Sequence, residues 1–303
     1  MTEPEFTRSS SAGEAQSKLG KQINFPELPD ALPIPIYDNH CHLEFEFDDR
    51  LGVMPWAENL DKGQSVGIKG VVQVGVTLES SKWCAWLAEN DQRVLAAVAL
   101  HPNEAPLYET ETALMAAISE IEELAKQPRV RAIGETGLDF FRTEGANSIN
   151  LQQKSFEEHI RIAKENDIAL MIHDRDAHDA VVETLLRVGP PKKVVFHCYS
   201  GDVDLAEICN EHGWYMSFAG NITIKRNDHL RNSLKIARKD LILIETDAPF
   251  LAPEPYRGRP NAPYLVPVTA RAMAEYLALP LEELCELLAT NTETVYGNWD
   301  SDR

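Results

Sequence analysis

Residues 34–44 read IPIYDNHCHLE, a short apolar run that turns into Asp, Asn and His within a few positions. Seven further apolar runs of similar length follow along the chain, and longer amphipathic segments separate them. The predicted strands span residues 34–39, 70–76, 94–100, 130–134, 169–173, 193–197, 214–218 and 241–245. Because short apolar strands that alternate with helices form parallel sheets, this pattern predicts an α/β protein.

Four of the intervening segments have apolar residues at helical spacing, and they predict helices over residues 112–126, 152–166, 177–188 and 203–212. Eight strand–helix units favour a (β/α)8 TIM-like barrel, which would form a single domain over residues 31–303. A doubly wound open sheet is the alternative, because the pattern alone does not show whether the sheet closes. Residues 1–30 are polar and are expected to form a disordered or loosely attached N-terminal extension.

The overall charge is strongly negative, since 48 acidic and 29 basic residues give a formal net charge of −19. This balance excludes a protein that holds nucleic acid through bulk positive charge. It does not exclude an enzyme that acts on nucleic acid, because a metal site can be locally positive on an acidic body. The sequence has no Walker-type or GxGxxG glycine loop, which argues against a nucleotide-cofactor enzyme.

Signals for membrane insertion or secretion are not found in the sequence. No apolar run approaches the ~20 residues of a transmembrane helix, and the opening stretch MTEPEFTRSS lacks the apolar core of a signal peptide. The five cysteines include no CxxC pair, which fits a reducing compartment. We therefore expect a cytoplasmic protein with no membrane contact and no stable protein partner.

Metal-ligand residue types fall repeatedly at the carboxyl ends of the predicted strands, where a parallel barrel places its chemistry. They are His40, His42, Glu135, His173, His197 and Asp247. His40 and His42 are two positions apart, so both imidazoles face one side of a strand while Cys41 faces the other. Imidazoles suit transition metals and a carboxylate can bridge two ions, so the set predicts two divalent cations: Mg, Mn or Zn.

The same residues carry a resemblance to the TatD family of metal-dependent deoxyribonucleases, over about residues 34–298. The matching segments are DNHCHLE (38–44), GETGLDFF (134–141), MIHDRDA (171–177), FHCYSG (196–201) and ETDAPFLAP (245–253). The resemblance implies one ion held by His40, His42, Glu135 and Asp247. It implies a second ion held by Glu135, His173 and His197, with Glu135 as the bridge. Asp247 and Glu135 are the expected catalytic carboxylates, and Asp247 would accept the proton of the attacking water.

Basic residues in the loops after the strands are expected to hold a phosphate. Arg142 and Arg257 adjoin the motifs and are the main candidates, and His101 is expected to line the pocket and contact the substrate. Further basic candidates are Lys225, Arg226 and Arg259. Four aromatic residues near the barrel mouth are candidates for stacking on an unpaired base: Phe140, Phe141, Tyr199 and Tyr256. Glu245 is expected either to support a metal-site group or to be satisfied by the backbone.

These observations predict a two-metal hydrolase that cleaves phosphodiester bonds of DNA with metal-activated water, as a 3′–5′ exonuclease. The polarity is implied by the resemblance alone, and DNA or another phosphodiester is the expected transient partner. Alternatively, the same binuclear site hydrolyses a non-nucleic-acid ester, amide, lactone or aminoacyl ester, which an apolar barrel mouth would favour. A non-catalytic binding module is a third interpretation, but buried His and Asp clusters without a metal cost stability.

Overall fold

The computed structural model describes residues 6–9, 24–48, 51–108 and 110–301. Eight parallel strands form its main sheet, and each pairs with the next one in the chain. They are Ile36–Cys41 (β1), Ile68–Val74 (β2), Val94–Val98 (β3), Val130–Asp139 (β4), Ala169–Arg175 (β5), Val194–Phe196 (β6), Tyr215–Phe218 (β7) and Ile242–Ile244 (β8). A doubly wound sheet would reverse its strand order near the middle. The sequential order confirms the predicted barrel.

Nine α-helices surround the strands in the described part of the chain, and they bury the outer face of the sheet. They are Trp56–Ser65 (α1), Leu78–Asn90 (α2), Glu111–Ala125 (α3), Ala146–Glu165 (α4), His178–Val188 (α5), Val203–His212 (α6), Asp228–Ile236 (α7), Val266–Leu277 (α8) and Leu281–Tyr296 (α9). The four predicted helices are confirmed. Helix α4 begins at Ala146, earlier than the predicted start at residue 152, because the polar residues at its beginning hide the apolar period. Among the described helices, none is long and apolar enough to cross a membrane.

The barrel closes at a seam between β1 and β8. The backbone N–H of His42 donates to the carbonyl oxygen of Ala248, at 2.8 Å. The buried carboxylate of Asp38 reaches across the seam and accepts hydrogen bonds from the backbone N–H and the hydroxyl of Thr246, at 2.9 and 2.5 Å. These bonds hold the ends of the first and last strands side by side, and both ends carry ligand-type residues.

Strand β4 is longer than the sequence predicted. The apolar run ends at Gly134, but the strand continues to Asp139, with a register shift against β5 between Ile133 and Thr136. Two glycines and polar side chains interrupt the apolar pattern there, so the pattern predicts a strand only as far as Gly134. An irregularity of this kind turns a side chain toward a functional site, and Glu135 lies within it.

Described residues of the predicted N-terminal extension lie against the barrel. The backbone N–H of Arg8 donates to the carbonyl oxygen of Glu44, at 3.0 Å, and its guanidinium lies 3.4 Å from the Glu44 carboxylate. Near the other end of the extension, Arg259 donates to the carbonyl oxygen of Phe25, at 2.8 Å. Residues 10–23 lie outside the described ranges, and the domain boundary at residue 30 stays a prediction.

Candidate metal centre

The six side chains predicted to hold metal lie together at the carboxyl ends of the strands, and Glu135 is at their centre. Its Oε2 is 3.6 Å from Nε2 of His40 and 3.9 Å from Nε2 of His42. Its Oε1 is 2.6 Å from Nδ1 of His173 and 2.8 Å from Nε2 of His197. The two oxygens of one carboxylate therefore face two different pairs of histidines, called here the first pair and the second pair.

The first pair, His40 and His42, presents nitrogen lone pairs to a common point. The ring Nδ1 of His42 lies 2.9 Å from the carbonyl oxygen of Val74. Since a carbonyl only accepts, Nδ1 carries the proton and Nε2 is left with a free lone pair. Burial lowers the pKa of His42 to about 3, so the ring is neutral. The two Nε2 atoms are 3.1 Å apart, and Oδ1 of Asp247 lies 3.7 Å from each, a convergence that fits a cation.

The second pair, His173 and His197, is supported by carboxylates. The Nε2 of His173 lies 3.2 Å from Oδ2 of Asp139, and Nδ1 of His197 lies 3.1 Å from Oε1 of Glu245. Burial by itself lowers the pKa of both rings, but the adjoining carboxylates, including Glu135, outweigh it and raise both. A carboxylate behind a histidine orients the ring and makes it a stronger metal ligand.

Both supporting carboxylates are fully buried, and only one of them had a predicted role. Glu245 was expected either to support a metal-site group or to be satisfied by the backbone, and it does both. Its Oε1 lies near His197 and also accepts from the backbone N–H of Cys198, at 2.7 Å. The role of Asp139 was missed. The signal was its spacing, since residues at even intervals along a strand share a face, and Asp139 is four positions from Glu135.

Gly137 lets β4 and β5 approach closely at this point. Its φ of 141° lies in a region that favours glycine, and a Cβ there would collide with the carbonyl oxygen of His173. Because the two strands lie this close, the ring of His173 reaches Glu135 with one nitrogen and Asp139 with the other.

Asp247 is the more exposed of the two carboxylates predicted to bind metal, with 16% of its side chain accessible against 6% for Glu135. Burial, together with the nearby negative charge of Glu135, raises the pKa of Asp247 well above its ordinary value. Its φ of 56° lies in the left-handed region, a conformation that costs energy and clusters at functional sites. The amide of Asn261 donates to the carbonyl oxygens of Thr246 and Phe250, at 2.9 and 2.7 Å, and holds this turn.

His101 lies at the edge of the cluster. Its Nδ1 accepts from the backbone N–H of Asn103, at 3.0 Å, so the proton of the neutral ring is on Nε2. Burial lowers the pKa of His101 to about 4, which keeps the ring neutral. The Nε2 lies 3.4 Å from Oε1 of Glu135 and 3.3 Å from Nδ1 of His173. The side chain therefore offers a hydrogen-bond donor to this side of the cluster.

The arginines predicted to bind substrate are not in the cluster but in the loops beyond it. Arg142 and Arg257 are exposed and follow β4 and β8. The backbone N–H of Arg142 donates to Oδ1 of Asp139, at 2.8 Å, which ties this loop to the carboxylate behind the second pair. Arg259 is engaged elsewhere, because its guanidinium bonds to Phe25 of the N-terminal segment.

Comparison with known proteins agrees with this arrangement. Residues 37–297 match the family described as TatD related DNase. A Mycobacterium tuberculosis protein named uncharacterized metal-dependent hydrolase TatD is 38% identical over 241 residues, which cover 78% of this chain and 89% of that protein. YabD from Bacillus subtilis, also named an uncharacterized metal-dependent hydrolase, is 31% identical over 264 residues, covering 86% and 98%. The crystal structure of YJJV, a TatD homologue from Escherichia coli, has a TM-score of 0.76 at 27% identity, covering 87% and 98%.

Proposed function

This chain belongs to the TatD family of metal-dependent hydrolases, and we propose that it is a two-metal deoxyribonuclease that shortens single-stranded DNA from a 3′ end. The observation that carries the proposal is the position of Glu135, whose Oε2 faces His40 and His42 while its Oε1 faces His173 and His197. Two-metal sites that act on phosphodiesters keep their ions ~3.5–4 Å apart, and a shared carboxylate suits that spacing.

The donor set fits divalent cations. Two groups of described side chains that could hold a cation bring their ligand atoms within 4.8 Å of one another: His40, His197 and Asp247; and His40, His42 and Glu135. A third group adds His101 to Glu135 and His173, but the Nε2 of His101 carries its proton and is assigned to the substrate. In this proposal the first pair and Asp247 would hold one ion, the second pair would hold the other, and Glu135 would be shared. Such ions, when bound, supply a Lewis acid that polarises a phosphoryl oxygen and lowers the pKa of water.

The remaining steps fall to side chains of this chain. Water attacks the phosphorus, and the bond from phosphorus to the oxygen of the departing part of the strand breaks. The proton that the water loses passes to the Asp247 carboxylate, which gives it to the departing oxygen. This carboxylate suits the task because 16% of its side chain is accessible, and because it lies at the point where the nitrogens of His40 and His42 converge. The Nε2–H of His101 donates to a non-bridging oxygen of the phosphate. Arg142 and Arg257 bring positive charge to the neighbouring phosphates, which suits DNA better than an uncharged ester or lactone.

The test uses protein loaded with Mg, Mn or Zn and single-stranded DNA labelled at either end. We expect a 3′ label to be released first as a mononucleotide and a 5′-labelled strand to shorten stepwise. His173→Ala and Asp247→Asn should abolish turnover without unfolding the protein. His229→Ala, at an exposed position on α7, is the matched control and should cleave normally.

Three outcomes would overturn parts of the proposal. Release of the 5′ label first would reverse the polarity. If Asp247→Asn still cleaves DNA, Asp247 is not the proton acceptor. If the protein binds metal but leaves DNA intact with every metal, and if it hydrolyses a lactone or an aminoacyl ester, the alternative hydrolase replaces the nuclease.

A further inference from the structure

The four aromatic residues near the barrel mouth differ in accessibility. Tyr199 is buried, and its hydroxyl donates to the carbonyl oxygen of Asp202, at 2.7 Å. Phe140 and Tyr256 are partly buried and pack against the core. Phe141 is 60% exposed, which places it among the most exposed large apolar residues of the described chain. Packing against the core therefore accounts for three of these side chains and leaves Phe141 unexplained.

A cation covers one face of the Phe141 ring. The guanidinium carbon of Arg175, at the end of β5, lies 4.0 Å from the ring centroid. The carbonyl oxygen of Arg175 also accepts from the backbone N–H of Phe140, at 3.0 Å, so the strand and the loop are joined beside the ring. The arginine orients the ring, and the exposed remainder of its surface is open to a flat ligand.

The ring is also tied to the metal centre. The Oδ1 of Asp139 accepts from the backbone N–H groups of Phe141 and Arg142, at 3.0 and 2.8 Å. The Oδ2 of the same carboxylate is 3.2 Å from His173. One fully buried side chain therefore sets the position of the loop and of a predicted metal ligand together, so the ring has a defined place relative to the candidate metal centre.

We propose that Phe141, backed by Arg175, is a stacking platform for an unpaired nucleobase of the substrate, next to the scissile phosphate. This inference rests on the proposed nuclease function and adds a basis for selecting single strands. Every nucleobase has a π-face that stacks on an aromatic ring, whatever the sequence. Inside a duplex both faces of a base are covered by its neighbours, so only an unpaired base reaches the ring. Arg142, the next residue, is exposed and offers a positive charge to the phosphate of that nucleotide.

The test compares kcat/KM on three single-stranded oligonucleotides of one sequence. The first has no abasic site, the second has one at the 3′-terminal nucleotide, and the third has one at the penultimate nucleotide. The wild type should prefer the intact strand over at least one abasic strand by about 5- to 150-fold, the range of base–aromatic stacking. In Phe141→Ala this ratio should fall to about one, and Phe141→Trp should retain it. Leu186→Ala is the matched control, since it removes a 51% exposed apolar side chain on α5 and should keep the wild-type ratio.

The outcomes separate this inference from the proposed function. If the wild type cleaves DNA and Phe141→Ala keeps the wild-type ratio at both positions, the stacking platform is wrong and the nuclease stands. If the metal-loaded wild type cleaves no DNA, the proposed function itself fails. Circular dichroism and metal content of Phe141→Ala should match the wild type, because the ring is on the surface.

Discussion

The two pairs of histidines around Glu135 differ in what lies behind each ring. In the first pair the supports are uncharged: the thioether of Met171 lies 3.1 Å from Nδ1 of His40, and the carbonyl of Val74 lies 2.9 Å from Nδ1 of His42. Burial then dominates and lowers the pKa of both rings. Both rings therefore stay neutral near pH 7, so protons do not compete with a cation for their nitrogen lone pairs.

In the second pair, the supports of His173 and His197 are the buried carboxylates Asp139 and Glu245, and both histidine pKa values are raised. These rings bind a proton more strongly than the first pair, and by the same chemistry they are stronger ligands for a metal ion. In the proposed two-metal site, the two cations would therefore meet different surroundings. The first pair is kept neutral by burial, whereas the second pair is supported by the buried carboxylates Asp139 and Glu245.

The largest loss of turnover should follow from a substitution at Glu135, the residue that contacts both pairs of histidines. Glu135→Gln keeps the shape of the side chain but removes the charge that faces all four rings. Turnover should fall by a factor of about 10³ or more, since stabilisation worth several kcal/mol is lost. Bound metal per chain should fall as well, as measured by elemental analysis after dialysis. Glu123→Gln, at an exposed carboxylate, should change neither quantity. A Glu135→Gln protein that kept both ions would show that the carboxylate is not shared.

A smaller effect should distinguish the two pairs. Asp139→Asn and Glu245→Gln remove the charge behind the second pair, and each should weaken the binding of one ion by about 10- to 100-fold. Met171→Leu changes the uncharged support behind His40 at similar volume and should leave both affinities within a few-fold. Titration of the metal-free variants with Zn or Mn would measure this. Equal weakening by all three changes would mean that charged and uncharged supports are equivalent here.

The ligand-type side chains could be predicted because each follows an apolar run, and a parallel barrel brings the ends of such runs to one rim. The second half of β4 could not, since Gly134, Gly137 and the polar residues between and after them break the pattern that marks a strand. The role of Asp139 was missed for the same reason, because its even spacing from Glu135 is informative only where the chain is known to be a strand.

The groups behind the rings depend on register and on rotamers, which the sequence does not contain. Glu245 is two positions from Asp247, yet its carboxylate lies against His197 at the end of β6, two strands away in the sheet. The same holds for Phe140 and Phe141, which are adjacent and chemically identical. Their exposure differs because Asp139 anchors the loop that follows it, and no composition or period indicates that.

The effect of an uncharged support on a buried histidine can be measured away from the candidate metal centre, at His159 on α4. The Nε2 of His159 accepts from the backbone N–H of Leu100, at 3.4 Å, and its Nδ1–H donates to the hydroxyl of Thr136, at 2.8 Å. Burial alone lowers the pKa of His159 from 6.5 to about 3. In the unfolded chain the ring takes up a proton below pH 6.5. The stability that depends on a neutral His159 is therefore present above pH 6.5 and is lost as the pH falls toward 3.

His159→Gln should flatten this dependence and produce the smallest of these effects. At pH 7 the variant should be less stable than the wild type by about 1–3 kcal/mol, because buried polar partners lose a bond. At pH 4.5 the difference should shrink or reverse, as measured by urea unfolding of the metal-free proteins. His229→Gln should follow the wild type at both pH values. If the difference for His159→Gln were the same at both, burial beside uncharged groups would not keep a histidine neutral in this barrel, and the first pair would lose the property that separates it from the second.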